Sequence, residues 1–412
     1  MSETETITPG FEPSPLGNIP VDWEVKKLGT LVEIVSGVSP SLFVLIGEGK
    51  YPYLKVEDLN NCEKYQIKSR EYSNDKKNLV PVNSVIFPKR GAAILNNKVR
   101  INSVIIQMDS NLMAIYPKSD QLNYEYLYYQ ITFEQLHKIA DTSTIPQINN
   151  KHIIPYAFPL PPLPEQIAIA NILSLMDSII NINNKLIAKK ELQKKWLMQN
   201  LLTGKKRLKE FEKEKWEETS LGDLFERVTR KNSEQNTNVV TISAQRGFVK
   251  QTDFFNKSIA SEIVDNYFLV EKGEFCYNKS YSNGYPWGAT KRLKDFEKAV
   301  VTTLYICFGL KNSHENSEDF FEYFFEANLL DKGLTKIAHE GGRAHGLLNV
   351  TPFDFFSLKI IIPSPDEQIA IAKVLQAAYK EIQLLKTKSE KLVEQKKGLM
   401  QVLLTGKKRL IV

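Results

Sequence analysis

The side chains best suited to chemistry in this chain are cationic and amide groups gathered in polar loops. Pro88-Lys89-Arg90-Gly91 and Asn96-Asn97-Lys98 form two such clusters, with Lys55 upstream of both. Farther on stand Gln245-Arg246-Gly247 with Lys250, the run Tyr277-Asn278-Lys279-Ser280-Tyr281-Ser282-Asn283-Gly284, and Gly341-Gly342-Arg343-Ala344-His345. Arginine and lysine pair with guanine edges, asparagine and glutamine with adenine edges, and all of them hold phosphate oxygens. Beside aromatic rings such groups suit a DNA groove, although any one cluster also reads as a solvated turn. The candidate contact residues are Lys55, Lys89, Arg90, Asn97, Lys98, Gln245, Arg246, Lys250, Lys279, Tyr281, Ser282, Arg343 and His345.

Catalytic signals are missing. There is no G-x-x-x-x-G-K-[ST] loop, no G-x-G-x-x-G and no H-E-x-x-H, and no [DN]-P-P-[YF] of the kind that holds a flipped adenine. His137, His152, His314, His339 and His345 show no spacing suited to a metal or a triad, and Cys62, Cys276 and Cys307 form no C-x-x-C pair. Asp366-Glu367 resembles a nuclease carboxylate pair, but a helix-capping role explains it better. The sequence therefore offers no catalytic constellation, no metal site and no cofactor pocket.

The chain has 412 residues, too many for one ordinary core, and a formal net charge of +6. That balance permits a polyanionic partner without demanding one. The acidic start MSETETITPGFEPS lacks an apolar stretch typical of a secretory signal. No run approaches the roughly 18 apolar residues of a membrane span. Widely scattered cysteines point to a reducing cytoplasm, with the thiols buried as small hydrophobes.

What must position the loops is a duplicated frame. PPLPEQIAIANIL from Pro161 returns as PSPDEQIAIAKVL from Pro363, and MQNLLTGKKRL from Met198 as MQVLLTGKKRL from Met400. The offset is 202 both from Glu165 to Glu367 and from Gly204 to Gly406, and half the positions from Pro161 to Leu208 are identical to their partners. A weaker repeat opens each half, WEVKKLGTL at Trp23 and WEETSLGDL at Trp216. Between these shared ends, Val32 to Tyr156 and Phe225 to Lys359 show no convincing alignment.

The repeated ends read as helices. Ser364 is placed as N-cap, Pro365 at the first helical position and Glu367 as the return partner of a capping box. Ile371, Leu375, Ala378, Ile382, Leu385, Leu392, Leu399 and Leu403 then form a seam interrupted by Ser389 and Lys396, which calls for a helical partner. The first copy offers Ile172, Leu175, Ile179, Ile182, Leu186 and Trp196, not in strict register with the second, and Pro162 removes its capping box. Gly204 and Gly406 should end the helices in the left-handed conformation, with Lys-Lys-Arg at each negative end. Glu367 to Leu404 would run about 57 Å.

The inserts change period. Tyr51–Val56, Ser84–Pro88, Val99–Met108, Leu112–Tyr116, Val239–Ser243, Glu274–Asn278 and Val300–Phe308 read as strands, Tyr124–Ala140 and Phe320–Asn328 as helices. The fold expected is α+β: two globular mixed domains separated by two long antiparallel helices in an intramolecular coiled coil, a pseudo-twofold internal repeat. The boundaries expected are 1–160, 161–208, 209–362 and 363–412.

PLPPLPEQIAIA and IIPSPDEQIAIA ahead of two long helices, with W-x-x-x-x-L-G near each domain start, resemble the specificity subunit of type I restriction-modification systems. PYLKVEDL from Pro52, F-C-Y-N-K-S from Phe275 and the G-G-R…F-D-F-F run add to the resemblance, which covers nearly the whole chain. It implies two target recognition domains, each reading half of a split, asymmetric DNA site. The paired helices would set the gap and dock two methyltransferase subunits, through which endonuclease subunits join. It implies no catalytic activity in this chain, S-adenosylmethionine, ATP and Mg belonging to the partners. Two other readings remain: a stand-alone DNA-modifying enzyme, which needs a cofactor pocket, and a coiled-coil scaffold, which needs no DNA.

Overall fold

The computed structural model describes residues 9–141, 145–251, 264–338 and 348–410. It divides into two compact units, Met1–Asn184 with Thr387–Val412, and Lys185–Lys386. The first of the long helices, Leu163–Leu201, and the second, Pro365–Leu403, each begin in one unit and finish in the other.

In the first unit a sheet runs in the order Val32–Ser36, Leu112–Pro117, Val85–Pro88, Arg100–Asn102 and Tyr65–Gln66. Helix Tyr124–Glu134 covers it, burying Tyr126, Leu127, Tyr129 and Ile131 in a core that also takes Leu173 of the first long helix and Leu403 of the second. Asn123 caps this helix by accepting from the Glu125 and Tyr126 amides. It stops early, because Gln135 turns to φ 66° before the short helix Leu136–Ile139, so the single helix expected to Ala140 is broken in two.

The second unit has a sheet in the order Phe225–Val228, Ile306–Leu310, Phe275–Asn278, Ala289–Arg292, covered by helix Glu318–Glu326. Its core is aromatic: Phe225 lies within 5.0–5.9 Å, ring centre to ring centre, of Phe275, Phe308, Phe321 and Phe325. Cys276 and Cys307, far apart in sequence, face one another across adjacent strands at 3.2 Å as buried free thiols.

The two inserts, unalignable as sequences, share this sheet. Val85 pairs with Ile115 as Phe275 pairs with Phe308, and Pro117 pairs with Val32 as Leu310 pairs with Phe225. The repeat therefore extends through the domains at the level of topology. Two expected strands are each divided: Val99–Met108 into Arg100–Asn102 and Gln107–Met108, and Val300–Phe308 into Lys298–Val301 and Ile306–Leu310. Each pair of pieces joins different sheets, which a turn must separate.

The frame closes alike in both units. Ala157–Leu160 pairs antiparallel with Glu24–Lys27, and Lys359–Ile362 with Glu217–Ser220. Leu28 donates to the Tyr156 carbonyl and Leu221 to that of Leu358. Close approach requires the glycine of W-x-x-x-x-L-G in the first unit, where a Cβ on Gly29 would lie 2.8 Å from Ile154 Cα, and leaves a tight fit in the second, where one on Gly222 would lie 3.2 Å from the Phe356 oxygen.

The long helices pair antiparallel. In the first unit Asp177 meets Lys396 at 2.5 Å and Asn184 meets Ser389 at 2.7 Å. In the second Lys190 meets Glu381 at 2.7 Å, while Lys194 lies over the Tyr379 ring. Ser389 and Lys396, the interruptions in the second seam, thus face polar partners. The seam of the first helix is not the stripe expected: Leu175 is 61% and Ile182 67% exposed, and Trp196 is also exposed. The inward face holds Ile169, Leu173, Asn183, Met198 and Leu201. Of these, Ile169, Leu173 and Leu201 match Ile371, Leu375 and Leu403 at the 202-residue offset. Both helices end as expected, with Gly204 and Gly406 at φ 68° and 70°. By length and composition alone Leu163–Leu201 could cross a bilayer. Its Glu165 and Asp177 are ion-paired, however, and its Ile169, Ala170 and Leu173 belong to a protein core.

At the helix starts the structure corrects the capping box. Glu367, 0% exposed, accepts Arg207 Nε and Nη2 at 2.7 and 2.5 Å and Trp216 Nε1 at 2.9 Å, while the Ser364 hydroxyl donates to Glu214. The first unit repeats this: buried Glu165 accepts Arg409 Nε and Nη2 at 2.8 Å and Trp23 Nε1 at 3.0 Å. The arginine of each Lys-Lys-Arg is therefore drawn onto the start of the opposite long helix, not left at its own helix end. Gln166 and Gln368, the next residues, accept from the Asn123 and Ser317 amides at the caps of the two covering helices.

Removing a partner from such a buried pair leaves an uncompensated charge. Glu367→Ala is expected to destabilise the second unit by about 3 kcal/mol, and Trp216→Phe, which removes one donor, by about 1 kcal/mol. Chemical denaturation of the full chain checks both, and a Glu367→Ala cost no larger than that of Trp216→Phe would deny the carboxylate its central role.

Candidate nucleic-acid interface

In the first unit the strand Val85–Pro88 delivers Lys89 and Arg90 to its end. Arg90 bridges to Gln147, and Gly91 at φ 75° turns the chain into Ala92–Leu95. Lys89 is half-buried, and burial together with the Arg90 charge pushes its pKa down. Arg90 is exposed, and neither side chain has an ion pair among the described residues.

The other predicted residues of this unit are engaged within the fold. Asn97, at φ 48°, donates to the Thr132 carbonyl and accepts from the Leu136 amide, so it clamps the break between two helices. Lys98 donates to Asn60 Oδ1. Lys55 pairs with Glu71 at 2.5 Å, which pushes its pKa up. The Pro52 to Leu59 run is structural at Asp58, whose buried carboxylate accepts from Lys55 N, Ser69 and Arg70.

In the second unit Gln245 and Arg246 sit exposed at the turn between Val240–Ser243 and Gly247–Lys250, made possible by Gly247 at φ 76°. Gln245 Nε2 donates at 3.0 Å to the carbonyl of Asn283, joining this turn to the loop between Phe275–Asn278 and Ala289–Arg292. Within that loop Ser282 and Tyr285 exchange backbone hydrogen bonds, Asn328 holds the Gly284 carbonyl, and Tyr281 projects at 66% exposure. Lys250 is exposed beside a cleft of about 520 Å³ lined by Asn236, Thr237 and Asn238. Arg343 and His345 lie outside the described residues.

Lys279 ends its strand as Lys89 does. Its ammonium reaches the Val350 carbonyl at 3.4 Å, and burial followed by the Arg227 charge pushes its pKa down. Arg227, on Phe225–Val228, and Lys291, which leans on Tyr285, are cations that the loop-centred sequence reading missed. Their positions in strands were the available signal. Arg292 is an anchor: it meets Glu318, Asp319 and Glu322 of the covering helix at 3.2, 2.5 and 2.8 Å. A second missed cluster, Lys64 with Glu125 and Tyr129, and Tyr129 with Asp177, is mutually bonded and ties the first domain to its helix seam.

Among the described residues no group of three or more histidine, cysteine or carboxylate side chains could hold a metal. What the arrangement presents is hydrogen-bond donors and positive charge on rigid strand ends and tied turns, which is equipment for recognition.

A model of the type I restriction modification DNA specificity domain matches residues 20–192 and 213–394. Two relatives from Methanocaldococcus jannaschii align over nearly their full lengths. The putative type I restriction enzyme MjaX specificity subunit is 27% identical, covering 97% of this chain and 96% of the relative. The type I restriction enzyme MjaVIII specificity subunit is 25% identical, covering 95% and 94%. Among solved structures, the type I restriction-modification S subunit from M. genitalium has a TM-score of 0.52 at 16% identity, covering 92% of this chain and 96% of that one. The HsdS subunit from Thermoanaerobacter tengcongensis has 0.52 at 15%, covering 94% and 98%.

Asn97→Ala is expected to cost about 1–2 kcal/mol, because it leaves a part-buried amide and carbonyl unpaired. Arg90→Ala and Arg246→Ala should stay within about 0.5 kcal/mol of the parent. Thermal melts of the three variants separate scaffold from free donor, and a costly Arg90→Ala would reverse the assignment.

Proposed function

The chain belongs to the type I restriction modification DNA specificity family, and from that premise we propose that its two units each read one half of a split, asymmetric DNA site. The observation that supports this is one sheet scaffold present twice, with unlike polar groups at matching strand ends and turns. Lys89 and Arg90 serve the first unit; Gln245, Arg246, Lys250, Lys279, Tyr281 and Ser282 serve the second. A shared scaffold with unlike loops gives two specificities, because bases are read by side chains while phosphates only fix register.

The long helices set the gap between the half-sites. Each has 39 residues, about 58 Å at the α-helical rise, against roughly 34–36 Å for one turn of DNA. Their exposed apolar residues, Leu175, Ile182, Leu192 and Trp196 among them, suit protein partners. In this reading those partners are two methyltransferase subunits, and endonuclease subunits join through them. Methyl transfer and cleavage reside in the partners together with S-adenosylmethionine, ATP and Mg, so this chain is non-catalytic and works in the cytoplasm.

Two experiments test this reading. Exchanging residues 245–250 and 279–288 for those of a relative, with Arg292 kept, should change one half of the methylated site. The same methylated sequence after exchange would sink the assignment. Inserting one heptad pair into both helix seams should widen the gap and leave each half unchanged, as mapped by methylated adenines across a genome. A constant gap would sink the spacing role.

A further inference from the structure

The sheet register aligns two residues that sequence comparison leaves unrelated. Since Val85 and Phe275 hold the same place opposite Ile115 and Phe308, Lys89 and Lys279, four residues on from each, occupy equivalent positions. The equivalence extends to the backbone: the Lys89 carbonyl accepts from Ile148 N at 2.9 Å and the Lys279 carbonyl from Leu348 N at 3.0 Å. Ile148 and Leu348 each precede the short helix that leads to the last strand, Asn150–Ile153 and Pro352–Phe356. Each lysine is thus fixed at both sides, on a strand end and by a crossing segment.

The surroundings match electrostatically as well. An arginine charge acts on each lysine, that of Arg90, next in sequence, in one unit and that of Arg227, on the edge strand two strands away, in the other. Neither lysine forms an ion pair among the described residues, although the Asp109 charge acts on Lys89, whereas Lys55 is paired with Glu71 and Arg292 with three carboxylates. Burial, and then repulsion by the exposed arginine, push each lysine toward losing its proton, with Asp109 opposing this at Lys89. An anion between them relieves that repulsion. Everything else at these strand ends differs between the units: Arg90-Gly91 follows one lysine, Ser280-Tyr281 the other. A group held constant where the reading groups vary is suited to the constant part of DNA.

We propose that Lys89 and Lys279 are equivalent phosphate anchors, each gripping the DNA backbone with the arginine that acts on it and setting the register in which the variable loops meet the bases. The proposal rests on the DNA-reading role above and refines it, taking these two lysines out of base recognition. They are positioning residues.

The test uses the full chain in its working complex, with Lys89→Met, Lys279→Met and the matching lysine-to-arginine variants, titrated with cognate and unrelated duplexes over a salt series. Each Met variant should lower affinity for both duplexes by the same factor, lower the slope of log K against log salt by about 0.9, and leave the methylated sequence unchanged. The Arg variants should retain the slope. A loss confined to the cognate duplex, a changed methylated sequence, or an unmoved slope would overturn the proposal. A parent complex that does not distinguish the two duplexes would instead defeat the DNA-reading role itself.

Discussion

Two buried carboxylates hold this molecule's architecture together. Glu165 and Glu367 each accept an indole N–H and a bidentate arginine, and each draws together three segments remote in sequence: the strand entry marked by tryptophan, the start of one long helix and the end of the other. Such a charge is tolerated in a core only when fully bonded, and the planar guanidinium suits that geometry better than an ammonium. In the first unit Asp22 adds a second carboxylate on Arg409, whose hydrogen bond holds the Asp22 pKa below its ordinary value. The covering helix of each unit is tied to this junction by the adjacent glutamine, which bonds its capped end.

Above that junction the two domains follow a common plan with different interiors. The first packs tyrosines against a polar chain through Lys64, and the second packs phenylalanines against one another. A sheet whose register is fixed at both edges tolerates such replacement, because alternate side chains need only fill the same volume. The loops at the strand ends are freer still, since surface connections tolerate change better than the elements they join.

Legibility in the sequence was uneven for physical reasons. The long helices, their glycine stops and the second seam were readable because helical periodicity and the left-handed cap are local signals. The first seam was misassigned because exposed Leu175, Ile182 and Trp196 mimic a buried stripe, whereas the 202-residue offset carried the register directly. The carboxylate junction was hidden because a capping box and a long-range ion pair place the same glutamate at the same spot. Asn97 and Lys98 looked like readers since residue type does not reveal whether a donor is already bonded. The shared sheet was invisible because topology survives where side-chain identity does not.

Arg409 and Asp22 are separated by 387 positions, whereas the second unit spans only Lys185–Lys386. On the ribosome, therefore, the domain made first is the one finished last. Its junction stays open, with Glu165 and Trp23 awaiting their arginine, until the second domain has already emerged. Closing so long a loop carries an entropic penalty that grows only slowly with length, so the delay is set by translation more than by the chain's search.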